Sequence, residues 1–272
     1  MPGFSGIALD VGGVIYYDEP FELTWLQEMF DRASAGDTAI TLDVFLRHIE
    51  RFYRQDGSTR PWRAPGYWDP VAAESWAAVR TAWAEIAQEI PGARRAVRDI
   101  AARFPTVVVA NQPPECLDVL DRWGLTGVLR AVLLDSLTGV AKPDPGLLDL
   151  GRARLGLRSA EVLMVGNRVD HDIRPALALG CGAVFIRGDS AYRPPAGVHP
   201  ELVAGYERWR AIRTAPPGPG EAVAIVSSLA ELAERTERAA SAEPTASAAP
   251  GDAGPTAAES TAASRVRGSG RR

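Results

Sequence analysis

A doubly wound parallel α/β sheet, interrupted after its first strand by a helical insert, is the fold this sequence predicts. Three observations carry that prediction. Apolar runs end abruptly on a small or polar residue at Ile7-Ala8-Leu9-Asp10, Val107-Val108-Val109-Ala110-Asn111 and Val162-Leu163-Met164-Val165-Gly166-Asn167, as strands buried on both faces do. From Pro91 onward such runs alternate with helical stretches, the pattern of a parallel sheet with crossover helices. Between residues 20 and 90 the apolar residues instead recur three and four apart, which is a helical period.

Each element follows from its residues in order. After the first strand, Leu23, Leu26, Met29 and Phe30 mark one helix, and Leu42, Phe45, Leu46, Ile49 and Phe52 mark a second. A loop rich in Pro, Gly and aromatic residues spans Arg60 to Pro70. Trp76, Val79, Trp83 and Ile86 then form a helical stripe that stops at Pro91-Gly92, a pair that breaks helices. The alternating part is read as a helix through Ala101, strand 106–110, helix 114–123, strand 131–134, helix 145–155, strand 161–165, helix 172–179 and strand 183–186. A short helix over 201–212, strand 222–226 and helix 229–238 complete it. The predicted domains are an α/β core from 1–19 and 91–238, the helical insert 20–90, and a disordered tail 239–272. That tail is mostly Ala, Ser, Thr, Pro and Gly, too poor in apolar surface to fold.

Composition narrows the function. The chain has 272 residues, 46% hydrophobic and 24% charged, with net charge −4, so it is large enough to bury an active site but offers no basic face to a polyanion. A nucleic-acid partner is therefore not expected, while small phosphate esters remain open as ligands. No apolar run reaches membrane-spanning length and no leader pattern opens the chain, so a cytoplasmic protein without a membrane partner is expected. Cys116 and Cys181 form neither a metal-spacing motif nor a disulfide framework and read as buried thiols.

Ligands of open α/β sheets gather at the carboxyl ends of the strands, which brings Asp10, Asn111, the Lys142-Pro143-Asp144-Pro145 turn and Asp172 towards one crevice. This ordered set of an Asp closing the first strand, an Asn after the second, a Lys-Pro turn and a Gly-Asn loop followed by Asp170 and Asp172 resembles the haloacid dehalogenase (HAD) superfamily. The resemblance covers about residues 4 to 238 and identifies the insert with the family's helical cap. It implies a phosphohydrolase of a small phosphate ester, a sugar or cyclitol phosphate, acting through an aspartyl-phosphate intermediate as a monomer or homodimer. In that reading Asp10 is the nucleophile, Lys142 neutralises charge between Asp10 and the phosphoryl group, Asn111 and Gly13 bind the phosphoryl oxygens, and Asp172 holds Lys142 or a metal-bound water. The resemblance also implies Mg²⁺, held by Asp10, the carbonyl of Gly12, and Asn167.

Three positions depart from the family pattern. Gly12 stands where a second Asp is usual, Ala110 where Ser or Thr is usual, and Asn167 where the metal-binding Asp is usual. Gly12 removes the general acid, a group that contributes about 10²–10⁴-fold. Tyr17, Asp18 and Glu19 are the cap residues able to supply the missing proton, and without one the site suits anomeric or acyl phosphates, whose leaving groups need no proton. Asn167 drops one charge from the metal site unless Asp170 or Asp172 takes its place. His171 reads as a surface residue, Trp76 and Trp83 as core, and Trp62 and Trp68 as open to a sugar-binding role. Two other functions stay open: metal-independent hydrolysis at carbon, as in the dehalogenases of the superfamily, and a non-catalytic fold kept for binding.

Overall fold

The computed structural model describes residues 3–56, 69–188, 191–213, 216–218 and 224–242. Its centre is a six-stranded parallel sheet of β1 (Gly6–Leu9), β2 (Thr106–Ala110), β3 (Ala131–Leu134), β4 (Val162–Gly166), β5 (Gly182–Ile186) and β6 (Ala224–Val226), ordered β3-β2-β1-β4-β5-β6. Leu9 aligns with Val108 on one side and Val165 on the other. The chain builds outward from β1 to β2 and β3, then returns to lay β4 on β1's opposite edge. That reversal is the switch point at which a doubly wound sheet opens a crevice, and Asp10 and Asn167 are the residues that follow β1 and β4 there.

The helices are α1 (Glu19–Gly36), α2 (Leu42–Asp56), α3 (Asp69–Thr81), α4 (Trp83–Ile86), α5 (Ala93–Ala101), α6 (Cys116–Arg122), α7 (Asp135–Thr138), α8 (Gly146–Leu155), α9 (Arg174–Ala178), α10 (Pro200–Arg213) and α11 (Leu229–Ala242). Strand residues alternate between the two faces, as a period of two requires. Ile7, Leu9, Val108, Val165 and Val184 join Val97 and Ile100 of α5 and Leu229 and Leu232 of α11 in one buried cluster. Ala8, Val107, Val109, Met164 and Phe185 join Leu147 and Leu148 of α8 and Ala176 of α9 in the other. The sheet is thus covered on both faces, which is why its strands read as continuous apolar runs.

The insert hangs from the core on two paired segments, where the Tyr17 N–H donates to the Gln88 carbonyl at 3.0 Å and the Ile90 N–H to the Ile15 carbonyl at 3.1 Å. Trp83 is buried and stacks on Phe21 with ring centroids 3.9 Å apart, and Trp76 meets Trp83 edge-on at 5.6 Å, so both are packing residues. Trp62, Trp68 and the tail from 243 lie outside the described residues.

Four boundaries differ from the sequence reading. Helix 114–123 begins at Cys116, because Pro113 and Pro114 lack the N–H groups and bias the chain before them away from helix. Helix 172–179 divides into a π-helical turn, Val169–Ile173, and the short α9. α11 runs to Ala242, so a tail starting at 239 cuts into it. The largest difference is α10, assigned from sequence to the core: it packs against α1 and α2 of the helical insert.

Candidate active site

Lys142 stands at the centre of the crevice with its Nζ 2.8 Å from Asp10 Oδ1 and 2.6 Å from Asp172 Oδ1. All three are buried, at 6, 7 and 1% exposure, and burial of this depth makes the pairing obligatory, since a lone buried charge costs several kcal/mol. Burial alone would depress the Lys142 ammonium, but the Asp10 and Asp172 carboxylates overcome it and hold the group above the usual lysine range. The cation is therefore permanent at any pH the fold tolerates. Lys142→Met is expected to cost about 3–5 kcal/mol of stability by leaving two buried carboxylates facing each other, which urea denaturation measures.

Backbone contacts aim these side chains. The Asp10 N–H donates to the Val165 carbonyl at 2.9 Å, fixing Asp10 at the β1–β4 junction. The Arg168 N–H donates to Asp172 Oδ2 at 3.0 Å, so both Asp172 oxygens are engaged. Asn111, read from sequence as a phosphoryl donor, clasps the Lys142 backbone: its Nδ2 donates to the Lys142 carbonyl and its Oδ1 accepts the Lys142 N–H, each at 2.8 Å. Its chief work in this geometry is to position Lys142, leaving only the second Nδ2 hydrogen for a ligand.

The position of Gly12 explains a residue the sequence could not single out. A Cβ at residue 12 would collide with both carboxylate oxygens of Asp18, so the space that a side chain at residue 12 would enter is filled from the start of α1. Gln112 Nε2 donates to Asp18 Oδ1 at 3.2 Å, and the Tyr16 hydroxyl donates to Gln112 Oε1 at 2.9 Å. Burial keeps Tyr16 a phenol, well above its ordinary value, so it fixes which end of the Gln112 amide faces Asp18. Burial, then the neighbouring carboxylates of Glu22, Glu19 and Asp10, push the Asp18 carboxyl well above the usual range. A carboxyl raised in this way favours its protonated form. Tyr16 and Gln112 carried no sequence signal beyond Gln112 following Asn111.

The donors present suit a hard cation only in part. Asp170 is taken by Arg168, at 3.1 and 2.7 Å, and lies 3.0 Å from Nδ1 of His171, which is buried rather than on the surface. Asp172 is held as described, so neither aspartate replaces the charge that Asn167 lacks. Among the described residues no three His, Cys, Asp or Glu side chains cluster to hold a metal. Asn167 packs its amide against Gly13, whose φ of +67° turns the loop beneath it. The set that the family resemblance implies, Asp10, the Gly12 carbonyl and Asn167, carries a single charge. Mg²⁺ accepts one carboxylate when a substrate phosphate completes its shell, so the residues fit an ion that enters with substrate.

Comparisons with known proteins bear on the family and the fold. The sequence model described as haloacid dehalogenase-like hydrolase matches residues 4–180. A ribulose-1,5-bisphosphate 5-phosphatase of Halopiger xanaduensis is 26% identical over 156 residues, 57% of this chain and 62% of that protein. A glyceraldehyde 3-phosphate phosphatase of Methanopyrus kandleri is 37% identical over 68 residues, 25% of this chain and 29% of that protein. The chain thus spans less than two thirds of the length of these curated relatives. Among solved structures, a HAD phosphatase from Thermococcus onnurineus shares the fold with a TM-score of 0.62 at 17% identity, covering 86% of this chain and 98% of that one.

Proposed function

We propose that this chain, which belongs to the haloacid dehalogenase-like hydrolases, is a phosphatase that transfers the phosphoryl group of a small phosphorylated sugar or cyclitol to Asp10 and then to water. The observation that carries this reading is the buried Asp10–Lys142–Asp172 array at the switch point. A carboxylate held beside a permanent cation is screened from the negative charge of the phosphate it attacks, and the same cation stabilises charge developing in the transition state.

Asp10 attacks phosphorus while the bond to the leaving oxygen breaks. The Asp18 carboxyl gives that oxygen its proton; water then attacks the aspartyl phosphate and frees Asp10 and inorganic phosphate, which carries the water's proton away, and Asp18 recovers its own proton from solvent. Asn111 keeps Lys142 on line through its backbone. Mg²⁺, when bound by Asp10, Gly12 and Asn167, would offset phosphoryl charge. With Asp18 supplying the acid, ordinary sugar phosphates are substrates as well as the anomeric and acyl phosphates that the Gly12 position alone favours. Support for the sugar class comes from relatives named for ribulose bisphosphate and glyceraldehyde 3-phosphate, and the helices over the crevice suit a ligand of that size.

The reading is tested by phosphate release from a panel of sugar, cyclitol and acyl phosphates with Mg²⁺ and with EDTA. Release that EDTA abolishes is expected; haloacetate turnover without metal would favour the dehalogenase chemistry instead. Because the metal set holds one carboxylate, Asn167→Asp is expected to lower the Mg²⁺ concentration giving half-maximal rate roughly tenfold or more, about 1.4 kcal/mol for one added charge near the ion. Metal titration of both proteins reads it.

A further inference from the structure

We propose that Arg210 and Tyr206 of α10 are positioning residues that hold the Asp18 carboxyl beside Gly12, a role that rests on Asp18 acting as the leaving-group acid. Asp18 immediately precedes α1, whose first turn carries two further buried carboxylates, Glu19 and Glu22. Arg210 Nε lies 2.8 Å from Glu19 Oε1, and the Tyr206 hydroxyl donates to Glu22 Oε2. Glu19 and Glu22 stand in the same turn as Asp18, and α10 supplies both the cation and the hydroxyl that hold those two carboxyl groups in place.

The helix is itself fixed to the cap. Leu202, Tyr206 and Trp209 are at most 3% exposed, the ring of Trp209 and Leu46 of α2 both border Gly205, and the His199 N–H donates to Gln27 of α1 at 2.8 Å. Gln88, in a segment that joins cap to core, pairs with the Arg193 backbone at 2.7 and 2.9 Å. Chain from beyond β5 therefore returns to the start of α1 and braces it. Because the acid stands on the cap side and the nucleophile on the core side, the alignment of the two depends on this brace. A misplacement of about 1 Å can cost 10²-fold in rate.

The test compares an alkyl sugar phosphate, whose leaving oxygen needs a proton, with acetyl phosphate, whose leaving carboxylate does not. Arg210→Met and Tyr206→Phe are expected to lower kcat for the sugar phosphate roughly tenfold or more with KM little changed, and to leave acetyl phosphate turnover within about twofold. Arg210→Lys should restore part of the loss, and Arg210→Met added to Asp18→Asn should cost little more than Asp18→Asn alone. Tyr206→Phe removes a single hydroxyl and keeps the test alive should Arg210→Met not fold. Equal losses on both esters, no loss on either, or full additivity with Asp18→Asn would overturn the positioning role. A wild type active on acetyl phosphate whose Asp18→Asn variant shows no selective loss would overturn the acid role beneath it, and a wild type silent on both esters would remove the phosphatase reading and this proposal together.

Discussion

Asp10→Asn is expected to lower phosphate release by about 10⁴-fold or more on every ester, the scale of loss when a covalent nucleophile is removed, while the protein stays folded. The second half of that expectation follows from the geometry. Lys142 keeps Asp172 at 2.6 Å when Asp10 loses its charge, so no buried ammonium is stranded, and the Asp10 backbone bond to Val165 is independent of the side chain. Circular dichroism and a melting curve beside the kinetic assay separate chemistry from folding. An Asp10→Asn protein that folds and retains more than about a hundredth of the wild-type rate would assign the nucleophile elsewhere.

Asp18→Asn has the next largest effect, and its signature is selective. Removal of a general acid costs about 10²–10⁴-fold, and here the loss falls on sugar phosphates while acetyl phosphate is spared. The pH dependence has a definite sign. If Asp18 acts with its proton on, as proposed, its raised carboxyl predicts that wild-type kcat on sugar phosphates falls as pH rises through that raised value, and that Asp18→Asn removes this limb. The same shift acts on stability: a carboxyl that binds its proton more tightly in the folded state adds stability below the ordinary aspartate value of ~3.9, and that stability is lost as pH rises through the raised one. Asp18→Asn should therefore flatten that loss of stability as pH rises. A sharper form exchanges the two positions. Gly12→Asp alone collides with the Asp18 carboxylate and is expected to misfold or lose activity, Asp18→Gly alone leaves no acid, and the double variant should recover sugar phosphate turnover above either single one.

That Asp10, Lys142 and Asp172 meet was legible because each is one residue type bound to one strand end or turn. An apolar run closed by Asp10, a Lys-Pro turn and the Gly166-Asn167 loop specify where chemistry collects before any contact is known. Choosing among Tyr17, Asp18 and Glu19 was beyond the sequence, since the choice depends on how far the loop from Gly12 to Tyr16 turns before α1 begins. Asn111 shows the complementary limit: its residue type suits a phosphoryl donor, and only coordinates reveal that its amide meets the Lys142 backbone. The place of α10 was hidden for a third reason. Its apolar residues fix a helix, but Tyr206 meets Glu22 across 184 positions, and no local pattern encodes a contact of that range.

The central claim is that Asp10 carries the phosphoryl group, and the most direct measurement traps it there. Protein mixed with acetyl phosphate and Mg²⁺ is quenched in acid within milliseconds, digested, and the peptide holding Asp10 examined by mass spectrometry. A phosphoryl adduct on Asp10, absent from Asp10→Asn and decaying as phosphate appears once the acetyl phosphate is exhausted, is the predicted result. Phosphate release with no adduct on Asp10 at any quench time, or an adduct on another residue, would contradict the account.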